Sequence, residues 1–121
     1  MVLVDTSVWI DHFRAGVGAL TALLNNNCVL THPFVLGEIA CGNLRDRRPT
    51  LQLLSNLPGA PKATDAEVMA FVESNSLLGK GIGFVDAHLL AAVALAADAT
   101  IWTNDRRLGK ATEKLRLAYT P

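Results

Sequence analysis

At 121 residues, half of them hydrophobic and 18% charged, the chain has the size and apolar content of one folded domain, which excludes a disordered tail or acidic activator. Eleven Lys and Arg balance eleven Asp and Glu, so net charge alone does not mark a nucleic-acid binder. The longest apolar stretch, residues 89–97, falls well short of the ~20 residues of a membrane span. The N-terminus lacks the basic region and cleavage site of a signal peptide, so a soluble cytoplasmic protein is expected.

In chain order, the continuous apolar run 1–4 predicts a strand buried on both faces. Thr6 or Ser7 then caps a helix carrying Val8, Trp9, Ile10 and Phe13, and Gly16-Val17-Gly18 breaks it. A second helix over about 19–26 turns Leu20, Leu23 and Leu24 inward. Asn25-Asn26-Asn27 makes a turn into a short strand, 28–31. Pro33 suits the first position of a helix running to about Gly42. A charged break, 45–49, precedes a helix with Leu51, Leu53, Leu54 and Leu57, which Pro58-Gly59-Ala60-Pro61 ends. Thr64-Asp65-Ala66-Glu67 matches a capping box for the next helix, with Val68, Met69, Phe71 and Val72.

Gly79, Gly81 and Gly83 predict a flexible loop, followed by a helix over 86–97 that is apolar almost all round and therefore buried against several partners. A strand over 99–103, a short helix over 106–113 and a final strand over 115–119 complete the chain. Short strands alternating with helices argue for an α/β domain with a mainly parallel sheet of four to five strands flanked by helices. No internal repeat or linker interrupts it, so residues 1–121 read as a single domain.

Four carboxylates stand alone in this apolar pattern. Asp5 ends the first strand, and Asp105 follows the run Thr100-Ile101-Trp102-Thr103 by one residue. Asp86 opens the apolar helix, and Glu38 is the only charge between Val29 and Leu44. Desolvating a lone carboxylate is costly without compensation. In open parallel sheets, sites form beyond the carboxyl ends of the strands, which would set Asp5 and Asp105 on one rim. Each acid also has an ordinary explanation as a cap, a first-turn acid or a turn residue. It is the four together that point to a shared hard cation, Mg²⁺ or Mn²⁺ rather than zinc. Such a cation lowers the pKa of bound water and steadies charge on phosphorus, the chemistry of phosphodiester hydrolysis.

These positions also carry a family likeness. Val4-Asp5-Thr6-Ser7-Val8-Trp9-Ile10 resembles the opening motif of PIN-domain ribonucleases, and Leu36-Gly37-Glu38-Ile39-Ala40-Cys41-Gly42 resembles the second. Phe84-Val85-Asp86-Ala87 and Thr103-Asn104-Asp105-Arg106-Arg107-Leu108 are similar to the third and fourth. Size and full-length coverage look like the VapC toxins of type II toxin–antitoxin pairs. The resemblance implies a PIN fold, Mg²⁺- or Mn²⁺-dependent endoribonuclease activity and inhibition by a VapB-type antitoxin. It further implies a homodimer, a toxin–antitoxin hetero-oligomer and a bacterial or archaeal source. Carried across, Asp5 and Asp86 are the core metal ligands, and Glu38 and Asp105 complete the acidic site directly or through water. Thr6 and Thr103 hold the acids by hydrogen bonds, and Asn104 joins them or contacts substrate. Some relatives carry a further acid near the third motif that is missing beside Asp86, so one ordered ion is expected, with a second arriving with RNA.

Arg45, Arg47 and Arg48, together with the segment of Arg106, Arg107 and Lys110, are expected to flank the acids and hold the RNA backbone. The apolar helices around Trp9–Phe13 and Leu51–Leu57 suggest a groove for an antitoxin helix. Cys28 and Cys41 read as buried, reduced core thiols. Trp9 and Trp102 read as core, and His88, about 200° round its helix from Asp86, as a surface or interface residue. His12 and His32 are assigned no chemistry. A phosphoacceptor receiver domain is disfavoured, because Ser7 stands where a paired acid belongs and no Lys follows Trp102. The remaining alternative is a PIN-like module that binds RNA or protein without nuclease activity.

Overall fold

A computed structural model describes residues 1–121. Strand β1 (Val2–Val4) leads into α1 (Thr6–Ala15) and α2 (Gly18–Asn25), and β2 (Val29–Leu30) follows. Helices α3 (Pro33–Ala40), α4 (Arg47–Ser55), α5 (Asp65–Ser74) and α6 (Phe84–Leu95) precede β3 (Thr100–Trp102) and α7 (Arg106–Lys114). All pairing is parallel in the order β2-β1-β3, with Val2 opposite Val29 and Thr100, and Val4 opposite Trp102. Parallel neighbours require long crossovers, and helices supply both of them.

Three strands form, and two single parallel bridges extend the sheet at its edges. Thr31 bridges to Gly59, and Ile101 to Ala118. The Ile101 N–H donates to the Leu117 carbonyl at 2.8 Å, and the Tyr119 N–H to the Ile101 carbonyl at 2.9 Å. The segment expected as a final strand therefore pairs at one point of the β3 edge.

The central strand is buried throughout, and a core of 21 buried residues surrounds the sheet, with Trp9 and Trp102 among them. In α6 seven consecutive residues, Ala87 through Val93, are buried, which is why that helix has no polar stripe. Its alanines lie close to α5, where Ala63, Val68, Ala87 and Ala91 form a second small cluster. The capping box of α5 is present: Thr64 Oγ1 accepts from the Glu67 N–H at 3.1 Å, and Glu67 Oε1 accepts from the Thr64 N–H at 2.9 Å.

Several local expectations change. The N-cap of α1 is Asp5, whose side chain makes no capping bond, so Thr6 opens the helix instead of capping it. Helix α4 starts at Arg47, which puts Arg47, Arg48 and Pro49 in its first turn, where proline's missing N–H costs nothing. Cys41 is exposed at the end of α3 and Cys28 is half-buried, so neither is a core thiol. His88 is fully buried, contrary to its expected surface position. Its ring lies 4.7 Å from both Phe34 and Phe84, edge to face, and its Nε2 is 3.0 Å from Asp65 Oδ1. The face of α6 opposite Asp86 meets α5 instead of solvent. His32, also buried, caps α3 by accepting the Phe34 N–H on Nδ1 at 3.0 Å. Burial, with His88 and Lys62 nearby, pushes its pKa down to about 4.

Candidate active site

Parallel pairing fixes the first element of the site. The Asp5 N–H donates to the Trp102 carbonyl at 2.9 Å, so the ends of β1 and β3 lie side by side. Asp5 and the turn Thr103-Asn104-Asp105 thereby share one rim. Asp5 is only 7% exposed, and two hydroxyls compensate its burial. Ser7 Oγ donates to Asp5 Oδ2 at 2.7 Å and Thr103 Oγ1 donates to the same oxygen at 2.8 Å. Each hydroxyl in turn accepts a backbone amide, Asn104 N–H on Ser7 and Asp105 N–H on Thr103, both at 3.0 Å. Amide, hydroxyl and carboxylate form two short chains in which each bond polarises the next. Oδ1 of Asp5 takes no hydrogen bond.

Asp105 caps α7 by accepting the Leu108 N–H on Oδ1 at 2.9 Å, which leaves Oδ2 free. Glu38 stands exposed on α3 and accepts the Thr6 hydroxyl on Oε1 at 2.7 Å, a bond that ties α3 to the start of α1. Its Oε2 is free. One oxygen each of Asp5, Glu38 and Asp105 is thus anchored while the other is available.

Asp86 is the third residue of α6, half-buried. Its pKa is pushed up to about 6, first by burial, then by the charges of Asp5 and Asp105, with Glu38 adding to them and the Gly83 backbone opposing. All three other acids therefore act on Asp86. No Lys or Arg offsets them. The fold brings together the four carboxylates that the sequence singles out, and it concentrates uncompensated negative charge on one of them.

No group of three His, Cys, Asp or Glu side chains is drawn tightly enough to enclose an ion by itself. The acids form an open arrangement of free oxygens. Such a donor set fits Mg²⁺ or Mn²⁺, hard cations that keep several waters and need only one or two carboxylates. It does not fit zinc, which takes nitrogen and sulfur ligands in closed tetrahedra.

Among the expected supporting residues, Thr6 and Thr103 bond to Glu38 and Asp5. The Asn104 side chain instead donates to Asp11 Oδ2 at 2.9 Å, and only its backbone feeds the Ser7 hydroxyl. Ser7 is the residue that sequence reasoning missed. A hydroxyl two residues past a strand-end acid was the available signal, and reading it as a helix cap hid its bond to Asp5.

The cationic groups divide. Arg45 lines a cleft of about 350 Å³ between α1 and α3 that also includes Glu38, over an apolar wall of Ile10, Phe13, Ile39 and Leu44. Arg47 and Arg48 line a separate hollow between α3 and α4, and Arg47 donates to the Gly42 carbonyl at 3.3 Å. Arg106 and Arg107 are exposed in the first turn of α7, directly after Asp105.

Residues 2–114 match the PIN domain family model. The chain is also 46% identical, over 108 residues, to Ribonuclease VapC32 of Mycobacterium tuberculosis, in the strains CDC 1551 / Oshkosh and ATCC 25618 / H37Rv. That match covers 89% of this chain and 87% of the relative. With the four acids gathered at the strand ends of a parallel α/β sheet, the chain belongs to the PIN-domain family and within it resembles the VapC-type ribonucleases.

Proposed function

We propose that the protein is a metal-dependent endoribonuclease toxin of the VapC type, which hydrolyses RNA phosphodiester bonds with water as nucleophile. The observation that carries this reading is the convergence of Asp5, Glu38 and Asp105 on Asp86, whose pKa is pushed up to about 6 by burial first and then by the charges of these neighbours. The ribonuclease name of a relative matched over most of both chains supports the RNA substrate.

Asp5 and Asp86 are the principal ligands for Mg²⁺ or Mn²⁺, with Glu38 and Asp105 reaching the ion directly or through water. When bound, the cation supplies Lewis acidity toward phosphorus and a water of lowered pKa. Ser7 and Thr103 anchor Asp5 through Oδ2 and leave Oδ1 free, and Thr6 anchors Glu38 through Oε1 and leaves Oε2 free. Asp105 keeps one oxygen on the α7 amide and presents the other. Asp86 must lose its proton to take part, so its raised pKa makes the site sensitive to acidification.

The same reading assigns a cytoplasmic protein, a homodimer and a complex with a VapB-type antitoxin. No helix is long and apolar enough to cross a membrane. Exposure of Ile10 and Phe13 beside Glu38 supports an apolar partner segment at that cleft.

The deciding experiment incubates the antitoxin-free protein with total RNA in Mg²⁺, in Mn²⁺ and in EDTA, beside Asp5→Asn and Asp86→Asn. Cleavage that needs the metal and both carboxylates is expected. Binding of RNA with no cleavage in either metal would establish the module without nuclease activity instead.

A further inference from the structure

The loop between α5 and α6 and the outer face of α7 enclose a cleft of about 230 Å³ lined by Leu77, Lys80, Arg107, Lys110, Ala111 and Lys114. Four of these six residues are cations, and none of the four is in an ion pair, since the only such contacts are Arg14–Asp11 and His88–Asp65. Four unpaired positive charges around one concavity repel one another, a cost that a bound polyanion removes.

The cleft is a built feature. Arg107, Lys110 and Lys114 recur at helical spacing on one face of α7, covering about 10 Å of its axis. Lys80 faces them from a loop whose flanking Gly79 and Gly81 have φ of 70° and 74°. At Gly81 a Cβ would lie 2.6 Å from Arg107 Cδ and 2.8 Å from Nη1. A side chain at Gly81 would be strained by the positive φ and would push the Arg107 side chain aside. The glycine loop and the α7 cations thus fit each other.

We infer that this cleft is a subsite for the phosphate backbone of the RNA strand, holding it as it enters or leaves the acidic site. The inference rests on the ribonuclease reading above. Two arguments select RNA over an acidic protein. First, the cleft is made by the same segments that carry the acids: Lys80 lies six residues before Asp86, and Arg107 two after Asp105. A strand lying here is led to the acidic site, whose own charge repels phosphate unless cations flank it. Second, the apolar floor consists of Leu77 and Ala111, both under 8% exposed, which offers a partner helix no anchor.

The test measures binding of a short single-stranded RNA in EDTA, where no metal-dependent cleavage competes, across a salt series. Each phosphate contact contributes about 0.7 to the slope of log affinity against log salt for a single strand. Lys110→Ala combined with Lys114→Ala is expected to weaken binding and reduce the slope by about 1.4. Gly81→Ala, which displaces Arg107, is expected to reduce it by about 0.7. Lys62→Ala, whose ammonium lies over the Phe34 ring and does not line the cleft, is expected to change neither quantity. Unchanged affinity and slope in the Lys110/Lys114 variant, or an equal loss in Lys62→Ala, overturns the subsite. Loss of affinity for a polyglutamate peptide with RNA binding unaltered also overturns it and assigns the cleft to an acidic protein. Because these readouts need no turnover, they stand apart from the cleavage assay: an inactive protein that binds RNA through this cleft refutes the nuclease and keeps the subsite.

Discussion

The two halves of the acidic site handle negative charge in opposite ways. On the strand side, Asp5 is nearly buried yet receives two hydroxyl bonds, each backed by a backbone amide, and Asp105 is bonded to the first turn of α7. On the helix side, Asp86 has no hydroxyl partner, and burial together with the charges of its neighbours raises its pKa to about 6. One half is organised by hydrogen bonds formed on folding. The other keeps negative charge that no side-chain hydrogen bond or cationic side chain offsets. In the proposed reading, the strand half keeps its geometry through these bonds, and the helix half supplies the charge that a cation would offset.

The largest expected effect removes that distinction at the level of chemistry. Asp5→Asn and Asp86→Asn should each lower the cleavage rate by at least ~10²-fold, the scale at which loss of one charge-stabilising group acts on a transition state. A strand-half substitution that left cleavage intact would place the site elsewhere. Next come the hydroxyls. Ser7→Ala and Thr103→Val should weaken Mn²⁺ binding by about 10–100-fold, measured calorimetrically, because Asp5 loses the groups that orient it. If either substitution left the affinity unchanged, the strand half would owe its geometry to the backbone alone.

A smaller effect appears in stability. For Asp86 the folded pKa lies above the ordinary value of 3.8, so the native state binds more protons than the unfolded one as pH passes from about 4 to 6. The contribution of Asp86 to stability therefore falls over that window and stays low above it. In EDTA at pH 7, Asp86→Asn should melt at a higher temperature than the parent, with the difference closing toward pH 4. Addition of Mg²⁺ should stabilise the parent more than the variant. A parent already as stable as Asp86→Asn in EDTA would show that the helix half is not strained.

The smallest prediction concerns the buried imidazole on the other side of α3. His32 has a folded pKa of about 4 against an ordinary value of 6.5, so it is the unfolded state that binds the extra proton. Its contribution rises as pH climbs from about 4 to 6.5, opposite in sign to that of Asp86. His32→Asn keeps an acceptor for the Phe34 N–H and should flatten this rise, visible in denaturant midpoints taken at several pH values. A parallel pH profile in parent and variant would remove His32 from the balance.

Much of the acidic site was legible because strand-end placement is a local property. A short apolar run followed by a single acid marks Asp5, and a threonine-asparagine turn after another marks Asp105. The capping box of α5 and the breaks at Gly16 and Pro58 were equally readable, since caps and turns depend on a few adjacent residues. Contacts between distant segments were not. Ser7 and Asn104 are 97 positions apart, and no spacing in the chain announces that one hydroxyl joins them. The start of α4 was misplaced because proline reads as a breaker, whereas in the first helical turn it is harmless.

Which residues carry charge into an apolar setting, and where the strands end, can be read from the chain, because periodicity and isolation are local properties. Tertiary packing set what those residues face. It buried His88 against Asp65, Phe34 and Phe84, although helical geometry alone had turned it away from the site. It exposed Cys41, paired Asp5 with Ser7 and Thr103, and set Lys80 opposite Arg107 across Gly81. A helix sequence fixes the angle between its side chains, but the packing of neighbouring elements settles whether a given angle points to solvent, to an apolar core or to another charge.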